Sequence, residues 1–71
     1  MVHPDYAHIG DIETRVIEEC SEVIKALCKV QRLGWFVHHP TSDLRNVDKL
    51  QDEIEDLERV LAELKQKMLE F

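Results

Sequence analysis

Long apolar runs are missing from this 71-residue chain, in which no uninterrupted hydrophobic stretch exceeds three residues. A transmembrane helix needs about 20 consecutive apolar residues, so we expect no membrane span. The first ten residues hold neither a basic stretch nor an apolar one, and we expect no secretory signal there. Glycine and proline number only two each, which argues against a turn-rich β-sandwich or barrel.

Basic clusters and cysteines are also scarce. The net charge of -6 and the lack of a basic run disfavour binding to a nucleic-acid polymer. The two cysteines, Cys20 and Cys28, are separated on one helix by about 12 Å of rise, which is too far for a disulfide. We therefore expect reduced thiols in the core of a cytoplasmic protein.

Two amphipathic segments remain once these classes are excluded. Apolar residues recur every three or four positions from Ile12 to Val30 and again from Leu44 to Phe71, which is the spacing of helices with one apolar face. We predict a single all-α domain over residues 1–71, with a first helix at about 11–33, a loop at 34–42 and a second helix at about 43–70.

Residues at the ends of these segments fit that division. Asp11 is suited to cap the amino end of the first helix, and Gly34 to end it. Pro40 interrupts the loop, and either Ser42 or Asp43 can cap the second helix. Two long helices joined by a short loop predict an antiparallel hairpin. The apolar stripe of the first helix is wider than one neighbour covers, so we expect hairpins to associate into a four-helix bundle.

Carboxylates are concentrated at one level of the predicted hairpin. Glu19 and Glu22 share a face of the first helix, and Glu53 and Asp56 share a face of the second. If Leu33 faces Ser42 across the loop, the same register sets Glu22 opposite Glu53 and Glu19 opposite Asp56. Each close pair of carboxylates costs on the order of 4 kcal/mol at 4 Å and an effective dielectric of 20. A hard divalent cation such as Mg²⁺ offsets that repulsion and usually completes its shell with water and phosphate oxygens.

Cations follow the first acidic group along its helix. Lys25, Lys29 and Arg32 lie on the polar side beyond Glu22, where they can meet the outer phosphates of a metal-bound nucleotide. The alternative for these three is ordinary surface pairing with neighbouring glutamates. The residues alone thus favour a Mg²⁺-dependent phosphate-ester site in a helical bundle.

The two acidic motifs, Glu18-Glu19-x-x-Glu22 and Glu53-x-x-Asp56, resemble the signature of the MazG-like all-α nucleoside triphosphate pyrophosphohydrolases. The stretches EECSEVIKALCKVQRLGW and NVDKLQDEIEDL are similar to short phage and bacterial members. The resemblance covers roughly residues 11–64 and includes the order of the motifs and the basic stretch before Gly34.

The resemblance implies that a nucleoside triphosphate is hydrolysed to a monophosphate and pyrophosphate with Mg²⁺, for which Mn²⁺ can substitute. It implies that the metal ligands are Glu19, Glu22, Glu53 and Asp56, and that Glu18 or Glu22 accepts a proton during catalysis. This chain is shorter than typical members, so further copies in a dimer or tetramer would supply the missing surfaces.

Alternatives remain open at several positions. Trp35 either stacks on a base or plugs the end of the core, and Asn46 either binds substrate or caps the second helix. The carboxylates themselves are either a metal site or a solvated helix surface. The rival function is a non-catalytic helical oligomerisation or adaptor module, or a degenerate relative of the enzymes.

Overall fold

The computed structural model is an antiparallel pair of helices, as the periodicity predicts. It describes residues 11–38 and 41–71; the first ten residues of the predicted domain and loop positions 39–40, including Pro40, lie outside that range. Helix α1 spans Ile12–Leu33 and helix α2 spans Asn46–Met68, and the two pack against each other. Among the described helices, none is long and apolar enough to cross a bilayer.

Helix α1 has the predicted ends. The Asp11 carboxylate accepts a hydrogen bond from the Thr14 backbone N–H at 2.7 Å, which satisfies one of the free donors of the first turn. Gly34 ends the helix with φ of 103° and donates its N–H to the Val30 carbonyl at 2.8 Å. Only glycine adopts this backbone conformation without strain.

Helix α2 begins three residues later than predicted, and neither Ser42 nor Asp43 caps it. The Ser42 hydroxyl accepts a hydrogen bond from the Leu44 N–H at 3.1 Å, which is a local turn and not a helix cap. Arg45 is the residue before the helix, and its N–H donates to the Asp48 carboxylate at 3.2 Å. The Asp48 side chain, in the first turn of α2, thus accepts the N–H of the residue before the helix, and this hydrogen bond stabilises the helix start.

Backbone carbonyls of the loop fix the start of α2 by accepting hydrogen bonds from it. The Asn46 N–H donates to the Val37 carbonyl at 2.7 Å, and the Val47 N–H donates to the Trp35 carbonyl at 2.8 Å. The Asn46 side-chain amide donates to the Gly34 carbonyl at 2.9 Å. These bonds need an extended segment before Asn46, which explains why the helix does not reach back to residue 43.

The other end of α2 is also shorter than predicted, by two residues. The Leu69 N–H bonds the carbonyl of Gln66, three residues back, which marks a tightened last turn.

Two ion pairs join the outer turns of the helices. Arg15 donates hydrogen bonds from its two terminal guanidinium nitrogens to the Glu63 carboxylate, at 3.2 and 3.0 Å, and Lys67 pairs with Glu13.

The core between the helices is thin. It consists of Ala26 and Val30 from α1 and Leu50 and Val60 from α2, with Val23 packed at its edge. Within residues 11–38 and 41–71, no large side chain is fully enclosed. Two helices alone therefore leave much of their apolar surface uncovered.

The cysteines are free, but the prediction that they lie in the core is wrong for the single chain. Cys20 and Cys28 are both exposed. Helix α2 covers only part of the apolar stripe of α1, and Ile17, Ile24 and Leu27 stay exposed as well.

Candidate metal and phosphate site

Three carboxylates meet between the helices at mid-length. Glu19 of α1 and Glu53 and Asp56 of α2 each offer an oxygen, and these oxygens all lie within 4.8 Å of one another. We call this group the carboxylate cluster. Glu53 is buried, whereas Glu19 and Asp56 are half-buried. The predicted proximity of Glu19 and Asp56 is found, and Glu19 also reaches Glu53.

The helical repeat explains why these side chains converge. Glu53 and Asp56 are three residues apart, so they project from one side of α2. Glu53 occupies a position within the apolar stripe, between Leu50 and Leu57, and so points at α1. A carboxylate at a core position is expensive to bury unless it is paired.

Lys49 provides that pairing. Its ammonium lies 2.9 Å from a Glu53 oxygen, one helical turn earlier on α2. The Glu53 side chain is 8% exposed and the Lys49 side chain 53%, so the lysine reaches inward from the surface. The hydrogen bond to Glu53 raises the pKa of Lys49, and the charge of Glu53 adds to that effect. Lys49 was not among the residues selected from the sequence, although its position four residues before Glu53 is the signal for such a pair.

Electrostatic repulsion is evident at Glu19. Burial raises the pKa of the Glu19 carboxyl above its ordinary value, and the charges of Asp56, Glu53 and Glu22 raise it further. Arg59 opposes the shift, and its guanidinium lies 2.7 Å from an Asp56 oxygen. The cluster therefore carries more negative charge than its resident cations neutralise.

The other two acidic residues of the first motif lie outside this close group. Glu22 is half-buried and near enough to act on the charge of Glu19, but its carboxylate pairs with Lys25 at 3.5 Å. Glu18 is exposed, and its backbone carbonyl accepts a hydrogen bond from the Ser21 hydroxyl at 2.9 Å. The structure thus brings together three of the four predicted ligands, with Glu22 at the margin.

A pocket of about 200 Å³ at the loop end is lined in part by Lys49 and Leu44. Its lining includes the ammonium-bearing Lys29 of α1 and Lys49 of α2, together with Ser42 and Asn46. Two cations, a hydroxyl and an amide are groups that bind phosphate oxygens. Lys29 and Asn46 are predicted substrate residues, whereas Ser42 is one of the two residues predicted to cap α2 and does not cap it.

The remaining predicted substrate residues lie elsewhere. Lys25 is 72% exposed beside Glu22, and Arg32 is exposed in the last turn of α1. Trp35 lines two apolar grooves, one against Val47 of α2 and one against Leu27 of α1. Neither groove includes a member of the carboxylate cluster.

The donor set of the cluster fits a hard divalent cation. Carboxylate oxygens are the ligands that Mg²⁺ and Mn²⁺ prefer. On one octahedral Mg²⁺ ion, ligand oxygens lie about 2.9 Å apart when adjacent and about 4.2 Å apart when opposite. The three cluster oxygens lie within 4.8 Å of one another, so they would have to draw closer together to bind one ion.

Comparison with protein-family models, with curated proteins and with solved structures finds no match for this chain.

Proposed function

We propose that this chain is a Mg²⁺-dependent nucleoside triphosphate pyrophosphohydrolase of the MazG-like type. It would convert a ribo- or deoxyribonucleoside triphosphate and water to the monophosphate and pyrophosphate. The observation that carries the proposal is the convergence of Glu19, Glu53 and Asp56 at a half-buried point between two helices. A cluster with unbalanced negative charge is costly to maintain without a cation.

The roles divide between the cluster and the neighbouring pocket. Glu19, Glu53 and Asp56 would hold the metal, with Glu22 as a fourth ligand or as the proton acceptor. When bound, Mg²⁺ supplies Lewis-acid polarisation of the phosphoryl oxygens. Lys29 and Lys49 line the pocket, where they would bind the outer phosphates, and the ion pair of Lys49 with Glu53 links that pocket to the cluster.

The chemistry requires one proton acceptor. Water adds to the α-phosphorus, the bond from that phosphorus to the bridging oxygen breaks, and the bridging oxygen leaves with pyrophosphate. Glu22 is the better acceptor of the two predicted residues, because it lies close enough to interact with both Glu19 and Lys49. Glu18 is exposed and would act only through a water or a second metal.

The proposal includes a cytoplasmic location, where free nucleotides occur, and a homo-oligomer. Its test is pyrophosphate release from a panel of canonical and modified triphosphates, with Mg²⁺, Mn²⁺ or EDTA. We expect metal-dependent release with monophosphate as co-product. Glu53→Gln should abolish it, whereas Glu55→Gln, at an exposed position two residues away, should not. Full activity of Glu53→Gln and Glu19→Gln, with both variants folded, would refute the site.

A second candidate function is a non-catalytic helical association module. It is favoured by the apolar residues that both helices leave exposed, such as Ile24 at 61% and Ile54 at 40%. This candidate predicts no turnover and no stabilisation by metal. Melting curves in Mg²⁺ and in EDTA separate the two, because a ligand that binds only the folded state raises the melting temperature.

A further inference from the structure

Lys49 belongs to both parts of the proposed site. Its ammonium lies 2.9 Å from a Glu53 oxygen in the carboxylate cluster, and the same side chain lines the pocket at the loop end. We call this the loop-end pocket; its lining residues are Lys29, Ser42, Leu44, Asn46 and Lys49. A lysine ammonium is a compact point charge on a flexible stem, and moving it fully into the pocket takes it away from Glu53. The cluster and the pocket therefore compete for one cation.

The two sites lie in opposite directions from Lys49 along the chain. Glu53 comes one helical turn later, whereas the pocket residues Ser42 and Asn46 come before it. The Cα–Cβ bonds of an α-helix tilt towards its amino end, which is the end of α2 that carries the pocket. In isolated helices, a lysine four residues before a glutamate is also the weaker order of that pair. The backbone of α2 therefore favours the pocket, and a specific attraction must hold Lys49 at Glu53.

The burial of Glu53 supplies that attraction. Its side chain is 8% exposed, against 53% for Lys49. A buried carboxylate is costly without a cation beside it, so the cluster retains the lysine as long as no metal is bound. When Glu53 ligates a divalent cation, its charge is neutralised and the ammonium is repelled, because like charges a few ångströms apart destabilise each other. Metal binding thus removes the attraction that keeps the ammonium at the cluster.

The loop-end pocket gains most from the charge of Lys49 when it binds a phosphate group. Lys29 lines the pocket from α1 and is exposed, so it supplies one cation. The Ser42 hydroxyl accepts the Leu44 N–H at 3.1 Å and has its own proton to donate. The Asn46 amide donates one N–H to the loop backbone and carries a second. Charge-assisted hydrogen bonds are roughly twice as strong as neutral ones, so a second ammonium adds more than either polar group.

We propose that Lys49 couples the carboxylate cluster to the loop-end pocket. It pairs with Glu53 while no metal is bound, and it moves into the pocket to bind a phosphate group once Glu53 ligates a divalent cation. This inference rests on the proposed function and adds the order of binding: the metal binds first, and the phosphate group binds tightly only afterwards. By reciprocity, a bound phosphate group raises the affinity of the cluster for the metal by the same factor.

Titration with inorganic phosphate measures this coupling. Amide NMR shifts of residues 42–49 give the dissociation constant for phosphate in Mg²⁺ and in metal-free buffer. We expect the wild-type chain to bind phosphate at least about fivefold more tightly in Mg²⁺, which is the lower end of the range for coupled sites. A phosphate oxygen bound directly to the metal also tightens binding, so two pairs of variants isolate the part that depends on Lys49.

Glu53→Gln releases the lysine without any metal. Its affinity for phosphate in metal-free buffer should exceed that of the wild type by at least about fivefold, and Mg²⁺ should add little to it. Asp52→Asn is the matched control, because Asp52 is exposed and acts on Lys49 through its charge, whereas the ion pair is with Glu53. It should change the metal-free affinity by less than about twofold, as the loss of an exposed charge does, and keep the effect of Mg²⁺.

Lys49→Met removes the coupling cation, and Lys29→Met is its control. Lys49→Met should weaken phosphate binding at least about fivefold in Mg²⁺. In metal-free buffer it should weaken binding by less than about twofold, because Glu53 already holds the lysine there. Lys29→Met should weaken binding in both buffers. Helical circular dichroism shows whether each variant is folded, and Glu53→Gln tests the same coupling if Lys49→Met unfolds.

Three results would overturn the proposal: equal phosphate binding by the wild-type chain in both buffers, equal metal-free binding by Glu53→Gln and Asp52→Asn, or the same loss for Lys49→Met and Lys29→Met in both buffers. Pyrophosphate release tests the proposed function separately. Turnover without coupling refutes this inference alone, and coupling without turnover refutes the catalytic proposal alone. A wild-type chain that binds no Mg²⁺ refutes both.

Discussion

Replacing Lys49 with methionine tests the balance of charge in the carboxylate cluster. The substitution keeps an unbranched side chain as far as the Cε atom and removes the ammonium that lies 2.9 Å from Glu53. Glu53, with 8% of its side chain exposed, then remains between the helices without its cation. Leaving a buried carboxylate unpaired destabilises the folded state, either through its uncompensated charge or through the cost of protonating it.

The magnitude follows from the exposure of the two partners. Breaking a fully buried ion pair costs about 3–5 kcal/mol, whereas an exposed pair is worth about 0–1 kcal/mol. Lys49 is 53% exposed while Glu53 is buried, so we expect a loss of about 2 kcal/mol, between these limits. With a urea dependence of about 1 kcal/mol per molar for a small protein, the unfolding midpoint should fall by about 2 M.

Urea denaturation in EDTA at one fixed protein concentration measures this loss. Lys25→Met is the matched control, because Lys25 is 72% exposed and lies 3.5 Å from Glu22; it should change stability by less than about 0.5 kcal/mol. The double variant Lys49→Met with Glu53→Gln should recover much of the stability, since it leaves no unpaired charge. In Mg²⁺, a metal at the cluster should reduce the effect of Lys49→Met. Equal losses for the Lys49 and Lys25 variants would refute the reasoning.

Three further predictions test other parts of the structure. Burial and neighbouring carboxylates raise the pKa of Glu19 above its ordinary value of 4.5. The ionised carboxylate therefore destabilises the folded state fully when the pH is above the raised pKa, and not at all when the pH is below 4.5. Glu19→Gln should therefore raise the melting temperature in EDTA at about pH 7, and that advantage should shrink as the pH falls towards about 4; an advantage that does not change with pH would contradict this cause. Gly34→Ala should lower the free energy of unfolding in urea by about 1–3 kcal/mol, because φ of 103° is unfavourable for alanine. The added Cβ would not clash, since the nearest atom is in Val37 at 3.9 Å. An unchanged urea midpoint would show that the turn relaxes. Asp11→Ala should cost about 1 kcal/mol through the lost cap on Thr14, whereas Asp43→Ala should cost nothing measurable, and equal losses would restore Asp43 as a cap.

The predictions succeed where the sequence acts locally. The helical hairpin follows from apolar spacing, and the ends of α1 follow from Asp11 and Gly34, whose side chain and backbone act within one turn. The proximity of Glu19 and Asp56 follows from counting residues away from the loop. Each of these rests on the helical repeat and one short connection.

The predictions fail where a tertiary contact decides. The start of α2 depends on carbonyls of Trp35 and Val37, which no pattern around Ser42 discloses. Trp35 lines two grooves that include no member of the carboxylate cluster, and the sequence of the loop does not indicate which groove its side chain enters. The exposure of Cys20 and Cys28 depends on how much of α1 a single partner helix covers, which the sequence of α1 does not specify.

The hydrogen bonds that Gly34, Trp35 and Val37 accept determine which end of the hairpin opens first. They fasten the two helices at the loop, whereas the far ends are joined by exposed ion pairs such as Arg15 with Glu63. Fluctuations should therefore separate the helices from their free ends inward, and amide exchange should slow progressively towards the loop. The carboxylate cluster lies partway along this gradient, so the outermost turns can fray and re-form many times while its three acids remain assembled.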